Sequence, residues 1–303
     1  MPKYFLLLLL FLITIVFFAC EKNYDLSGVS SLPAQPVVEG YIENGVPPYV
    51  ILTNTFSLFG NLTLANVSNI FIHDATVTVT GGGQTFNLQE QKIIYNGNSI
   101  YVYLPNNVND TGKINTAYDL NITLKDGSKI TAHTSILTPP LIDSLWYANR
   151  SASSTDSLVR LYFKRHDNAA TKDFYRYFTK TNSQQFLPGN VQGLISVFND
   201  EYINGDTYTW PINRGIDRND TSANQFKHPF YFMKGDTVTI KLCAIDYNVY
   251  DFWLTADNAY GNTGNPFAAP SNVKSNVNGA LGVWCGYAAF YMPSKTKGFV
   301  IPK

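Results

Sequence analysis

The sequence predicts a mainly β protein: a β-sandwich over residues 36–138, then a second β-rich domain over 141–303 that carries one helix. Three observations predict it. Tyr and Phe number 20 each among 303 residues, an excess of side chains suited to pleated, half-buried surfaces. Segments such as Tyr118-Asp-Leu-Asn-Ile-Thr-Leu124 alternate apolar and polar residues at period two, the mark of a strand with one wet face. Turn signals recur about every ten residues, the rhythm of a sandwich.

In chain order, residues 37–42 form the first candidate strand, and Glu43-Asn44-Gly45 follows as a hairpin turn. Strands are predicted next over 49–55, 75–80, 85–88, 99–104, 118–124 and 128–134, with Gly81 to Gly83 and Asp126-Gly127 as turns. Pro139-Pro140 marks the domain boundary, because proline donates no ladder hydrogen bond and restricts its predecessor. Beyond it, strands are predicted over 142–147, 158–164, 174–179, 194–198, 207–210, 237–245 and 283–291. Residues 248–260 differ: Val249, Phe252, Trp253, Ala256 and Tyr260 share one helical face, with Gly261 placed to end the helix.

The N-terminus speaks to compartment. Behind Lys3, residues 5–19 are apolar apart from Thr14 and carry no charge. That length is short for a bilayer span and suits the apolar stretch of an export signal. Ala19 directly before Cys20 resembles the lipobox of bacterial lipoproteins, with Phe17 and Phe18 looser than the usual pattern. The expectation is a signal peptide over 1–19, acylation of Cys20, and a polar lipidated tether over 20–35 that anchors the folded part to a membrane. The alternative is an uncleaved anchor with an incidental Cys.

Charge and chemistry narrow the function. Lys plus Arg equals Asp plus Glu, 22 each, so no basic excess is available for nucleic acid. Once Cys20 is acylated, Cys243 and Cys285 remain, each in a strand pattern. In an oxidising compartment the pair is expected to form a disulfide, the alternative being two buried thiols. The four His (His73, His133, His166 and His228) have no metal-site spacing, and no metal or cofactor is expected. No nucleophile motif is present, so no catalytic residue is predicted and the chain is read as a non-enzyme. A hydrolase built on carboxylates paired only in space is the third-ranked reading.

Several segments together resemble the DUF4249 lipoproteins of the Bacteroidota. They are the Cys20-Glu-Lys start, Val37-Val-Glu-Gly-Tyr-Ile, Asp74-Ala-Thr-Val-Thr-Val, Thr131-Ala-His-Thr-Ser-Ile, Phe174-Tyr-Arg, Lys234-Gly-Asp-Thr-Val and Ala244-Ile-Asp-Tyr. The most specific stretch is Gly264-Asn-Pro-Phe267 continuing through Ser275 to Val283. There the family usually has Gly-Gly-Leu-Gly and this chain has Gly279-Ala280-Leu281-Gly282, so Ala280 should not need a positive φ. The resemblance implies an outer-membrane lipoprotein with an immunoglobulin-like or transthyretin-like N-terminal sandwich, working as an accessory docking or ligand-capture partner of a TonB-dependent transporter. It implies no catalytic residues. The segment holding Asn265, Pro266, Phe267, Asn276 and Gly279 is the expected partner surface, the alternative being that these residues fix loop geometry under the helix. A structural or adhesive envelope protein that binds protein or glycan is the second reading, and an exposed row of Tyr or Trp would favour it.

Overall fold

The computed structural model describes residues 33–303 apart from 56–69, 96, 154, 192–193, 218–219, 221–226 and 264–271. The first half supplies β1 (Pro36–Glu43), β2 (Val46–Asn54), β3 (Thr76–Gly81), β4 (Gln84–Tyr95), β5 (Asn98–Pro105), β6 (Thr116–Thr123) and β7 (Lys129–Ile136). Each lies where the alternation predicts a strand, although β4 is longer than expected. On β6 the pattern is literal: Tyr118, Leu120 and Ile122 are buried while Asp119 and Asn121 are exposed. Gly45 closes the β1–β2 turn at φ 70°, the left-handed conformation such a turn needs.

The second half supplies β8 (Ser144–Asn149), β9 (Leu158–His166), β10 (Phe174–Thr181), β11 (Leu187–Pro188), β12 (Val197–Asn199), β13 (Thr207–Ile212), β14 (Phe232–Met233) and β15 (Thr237–Ile245). Then come the helix α1 (Tyr247–Gly261), β16 (Val277–Asn278), β17 (Leu281–Met292) and β18 (Phe299–Val300). Asp246 caps α1, its side chain accepting from Val249 N. The helix ends where expected, but Gly261 takes no positive φ and Asn262 forms the cap in a right-handed conformation.

Two sheets result. A 14-stranded sheet runs β11-β10-β15-β17-β1-β2-β5-β4-β3-β6-β7-β16, with β12 and β18 attached to β10 and β15. A four-stranded sheet joins β13, β9 and β14, with β8 on β9. The fold is therefore mainly β with a single helix among the described residues, as the sequence predicts.

The expected break at Pro139-Pro140 does not separate two compact bodies. β17 lies parallel to β1, from Val37 opposite Leu281 to Glu43 opposite Tyr287. From Ala288 to Met292 it pairs with β15 instead. One strand thus stitches the halves together, and Gln35–Lys303 forms one compact unit. The physical reason is the edge of β1: a first half standing alone would leave it as an open row of backbone donors and acceptors.

Packing completes the union. The first half of the large sheet curls until β7 meets β17. Trp284, fully buried, sits inside the curl and donates Nε1–H to the Tyr118 carbonyl at 3.2 Å. A Cβ on Gly286 would lie 2.3 Å from the Ser135 carbonyl, so only glycine allows this approach. In the second half, Val159, Leu161 and Phe163 of β9 belong to the same core as Val238, Ile240 and Leu242 of β15, making two sheet layers. The opposite face of β15 carries Cys243 and Ile245, which pack with Val249, Phe252 and Trp253 of α1. β15 is buried on both faces, and its second half, Leu242 to Ile245, is apolar throughout, while Thr239 and Lys241 are buried polar exceptions in its first half.

Candidate functional site

Of the residues singled out in the sequence, Cys20, Asn265, Pro266 and Phe267 lie outside the described residues. Asn276 and Gly279 are described, and both are engaged in local structure. The Asn276 side chain donates to the Trp284 carbonyl at 2.8 Å and accepts from Trp284 N at 2.9 Å, mimicking a strand neighbour. Gly279 has φ 82°, and a Cβ there would meet the Lys129 carbonyl at 2.6 Å. Gly282 has φ 110°, and a Cβ there would fall 1.9 Å from the Val38 carbonyl. Ala280 takes no positive φ, in keeping with its departure from the family pattern. This segment clasps β17 to β1 and β7, so at Asn276 and Gly279 the loop-geometry alternative describes what the residues do.

The expected disulfide is absent: Cys243 and Cys285 are free and buried. They occupy adjacent strands, but Cys243 faces Ala289, four residues beyond Cys285. That offset is roughly 13 Å along a strand, beyond the ~7 Å Cα separation a bridge can span. Burial pushes both thiols up to about 12, which makes them poor nucleophiles.

Under and beside α1 the sheet buries charge that the sequence pattern does not reveal. Lys241 Nζ lies 3.0 Å from Glu43 Oε2, and Tyr291 donates its hydroxyl to the other oxygen of Glu43. Burial disfavours the Lys241 ammonium, but the Cys243 sulfur and the Glu43 carboxylate outweigh it and raise the group above its ordinary value. Nearby, Arg176 Nε donates to Ser196 Oγ at 3.1 Å, and Ser196 donates to Asp257 Oδ2 at 2.7 Å. Arg176 also donates to the Tyr287 hydroxyl at 2.6 Å and lies 3.4 Å from the centre of the Trp253 ring. These networks tie β1, β10, β15, β17 and α1 together through satisfied polar contacts.

A third cluster stands at the end of β9. Carboxylate oxygens of Asp167, Asp173 and Asp200 lie within 4.8 Å of one another. The cluster already holds its own cation: Arg165 donates to Asp167 at 2.9 Å. Tyr175 donates to Asp167 at 3.0 Å and to Asp173 at 2.9 Å, and Asp200 accepts from Asp173 N at 2.8 Å. The arrangement ties the β9–β10 loop and the loop after β12 to β9 and β10. In the sequence Asp167, Asp173 and Asp200 are too scattered to announce it.

The outer face of the four-stranded sheet is different, because its side chains meet solvent. β9 turns Arg160, Tyr162 and Lys164 outward between buried Leu161 and Phe163; Lys164 is exposed, Tyr162 and Arg160 are half-buried, and Arg160 donates to Asn213 Oδ1 at 3.3 Å. Trp146 on β8 and Pro211 on β13 are the direct cross-strand neighbours of Tyr162 and share its face. Trp146 is 37 % exposed, and its ring runs near-parallel to that of Tyr162, at 17° with centroids 5.9 Å apart. The Tyr231 ring has two guanidinium groups near it, that of Arg150 5.8 Å and that of Arg160 5.9 Å from its centre. Beyond Arg150 opens a cleft of about 450 Å³ lined by Ser151, Ser153, Thr155, Asp156 and His228 among others. Asp156 accepts from Arg150 Nε at 2.8 Å, and this hydrogen bond, with those from Leu158 N and Ser151, holds its carboxyl down at about 2. The period-two pattern of β9 could have marked this face, but only the register of β8 and β13 shows which residues join it.

A family described as a domain of unknown function, DUF4249, matches residues 23–290. The chain belongs to that family. The DUF4249 match takes in β1 and most of β17, so the parallel pairing that closes the fold lies inside the family unit. It also takes in the whole four-stranded sheet. None of the curated proteins matches the sequence.

Proposed function

We propose that this DUF4249 protein is a lipid-anchored binding protein of the Bacteroidota outer membrane, serving a TonB-dependent transporter as a docking or ligand-capture partner. The observation that carries the anchoring is the N-terminal sequence, where an uncharged apolar stretch ends in Ala19-Cys20 and a polar tether follows. Several acyl chains on Cys20 would make the attachment stable, at about 0.8 kcal/mol per buried methylene. The transporter partnership rests on the family resemblance. The role is binding rather than catalysis: the buried Arg, Lys, Ser and Asp groups described above serve to join strands and helix. Two measurements test it. Mass spectrometry of the mature protein should find an N-terminus at Cys20 carrying lipid, and an intact Met1 would overturn the anchoring. Purification from native outer membranes should bring a TonB-dependent receptor with it, and recovery without one at low and high salt would overturn the partnership.

The second reading, an adhesive envelope protein that binds protein or glycan, gains support from the near-parallel Trp146 and Tyr162 rings on an exposed sheet face. Deleting the receptor separates the two, since an adhesin keeps its function without it.

A further inference from the structure

The geometry points to the outer face of the four-stranded sheet as a binding site for an anionic polysaccharide, whose sugar rings lie on Trp146 and Tyr162 while Arg160 and Lys164 meet its carboxylate or sulfate groups. This inference names the ligand class for the binding role proposed above, and it does not depend on which receptor, if any, the protein joins.

Three observations converge on it. The first is the aromatic pair. Trp146 and Tyr162 are cross-strand neighbours with rings 17° from parallel, flanked on the other side by Pro211. Large flat apolar surfaces held by a rigid sheet suit the apolar faces of sugar rings and lose little side-chain freedom on binding. The second is charge. The positions that β8, β9 and β13 turn outward include Arg160, Lys164 and His166 but neither Asp nor Glu. In a chain whose charges balance at 22 against 22, a face with cations and no strand carboxylate is a local asymmetry that favours an anion. The third is extent. The face continues past Arg160 to Tyr231 and to a cleft where Ser151, Ser153 and Thr155 offer hydroxyls and Arg150 is already paired with Asp156, so this end offers hydrogen bonds to sugar hydroxyls and the anionic groups are met by Arg160 and Lys164. From Leu158 to Lys164 the strand alone runs roughly 20 Å, the reach of several linked sugars.

Competing occupants fit less well. An acidic peptide would use the cations but not the flat aromatic pair. A neutral glycan would use the rings but leave Arg160 and Lys164 without counter-charges. Single-stranded nucleic acid offers rings and charge, yet its affinity comes mainly from neutralising many phosphates, and two or three cations supply little of that.

The test uses the mature full-length protein in detergent and a panel of anionic glycans: polygalacturonate, alginate, hyaluronate and chondroitin sulfate. Binding to at least one of them is expected, weakening as salt rises. Trp146→Ala and Tyr162→Ala should each weaken it about tenfold, and Lys164→Glu should do so by a comparable factor at low salt. Lys164→Glu touches no core residue, so it reports on the site even if Trp146→Ala perturbs β8. Failure to bind any panel member overturns the inference. So does equal binding of fully methyl-esterified polygalacturonate, which would remove the need for charge. Equal or tighter binding of polyglutamate or poly(U) would reassign the face to another polymer. Glycan binding that persists without lipid on Cys20 or without a co-purifying receptor would separate this site from the anchoring and docking reading. Loss of glycan binding with both of those intact would refute this site alone.

Discussion

Thr134 on β7 donates its hydroxyl to the carboxylate of Asp246, the N-cap of α1, at 2.7 Å across 112 positions of sequence. The same hydroxyl accepts from Gly286 N at 2.8 Å. One side chain of the first half therefore touches both the helix start and the strand that stitches the halves together. Thr134→Val keeps the shape and removes both bonds, leaving a buried N–H and a carboxylate oxygen short of a partner. The expected loss is about 1–3 kcal/mol of unfolding free energy, read from urea denaturation. A single unfolding transition should persist in the wild type, because the halves share a sheet. Two separate transitions at different urea concentrations would count against that union.

The Gly279-Ala280-Leu281-Gly282 segment makes opposite predictions two residues apart. Gly282→Ala places a methyl 1.9 Å from the Val38 carbonyl at φ 110°, a region closed to L side chains. It should cost more than about 3 kcal/mol and reduce soluble yield. Ala280→Gly demands nothing new of the backbone and should change stability by less than about 1 kcal/mol. Thermal melts of the two variants check the contrast.

The two free thiols predict both redox and alkaline behaviour. Mass spectrometry of protein secreted under oxidising conditions should show Cys243 and Cys285 reduced. Alkylating reagents should modify neither until the protein unfolds. The sign for pH follows from burial. Both thiols sit at about 12 in the fold against an ordinary value of 9.0. The folded state therefore holds its protons longer than the unfolded chain. The stability they contribute is complete below pH 9 and is lost as pH rises towards about 12. Alkylation rates measured across that range should rise with unfolding and not before it.

Asp257 is one of two fully or nearly fully buried positions on α1, and it accepts from both the amide and the hydroxyl of Ser196 at 2.7 Å. Asp257→Ala would strand Ser196 and leave the buried Arg176 without the carboxylate behind it. The expected cost is about 3 kcal/mol. Adding Arg176→Met should recover part of that loss, since removing both charges is milder than removing one. Chemical denaturation of the single and double variants tests the coupling.

Much of this architecture is legible without coordinates. Period-two alternation marks β6 and β9 because a half-buried strand must alternate, and the three- and four-residue spacing of Val249, Phe252, Trp253 and Ala256 marks α1 because a helix must turn. The Ala19-Cys20 junction is likewise local information. The disulfide expectation fails for a reason local patterns cannot express: Cys243 and Cys285 do lie on neighbouring strands, but the register sets them four residues apart. The same limit hides the β1–β17 pairing, the three-aspartate cluster and the Trp146–Tyr162 face.

The amino-acid order alone marked the longer strands and the helix, while the two-residue strands β11, β14, β16 and β18 left no signal in it. Such marks depend on side chains within a few residues of one another. Tertiary structure alone decided which strands are neighbours, that residues on both sides of Pro139-Pro140 share one sheet, and which aromatic and cationic groups reach solvent together. Pairing and register are set by the sum of contacts across hundreds of residues, and no single stretch of sequence carries that sum.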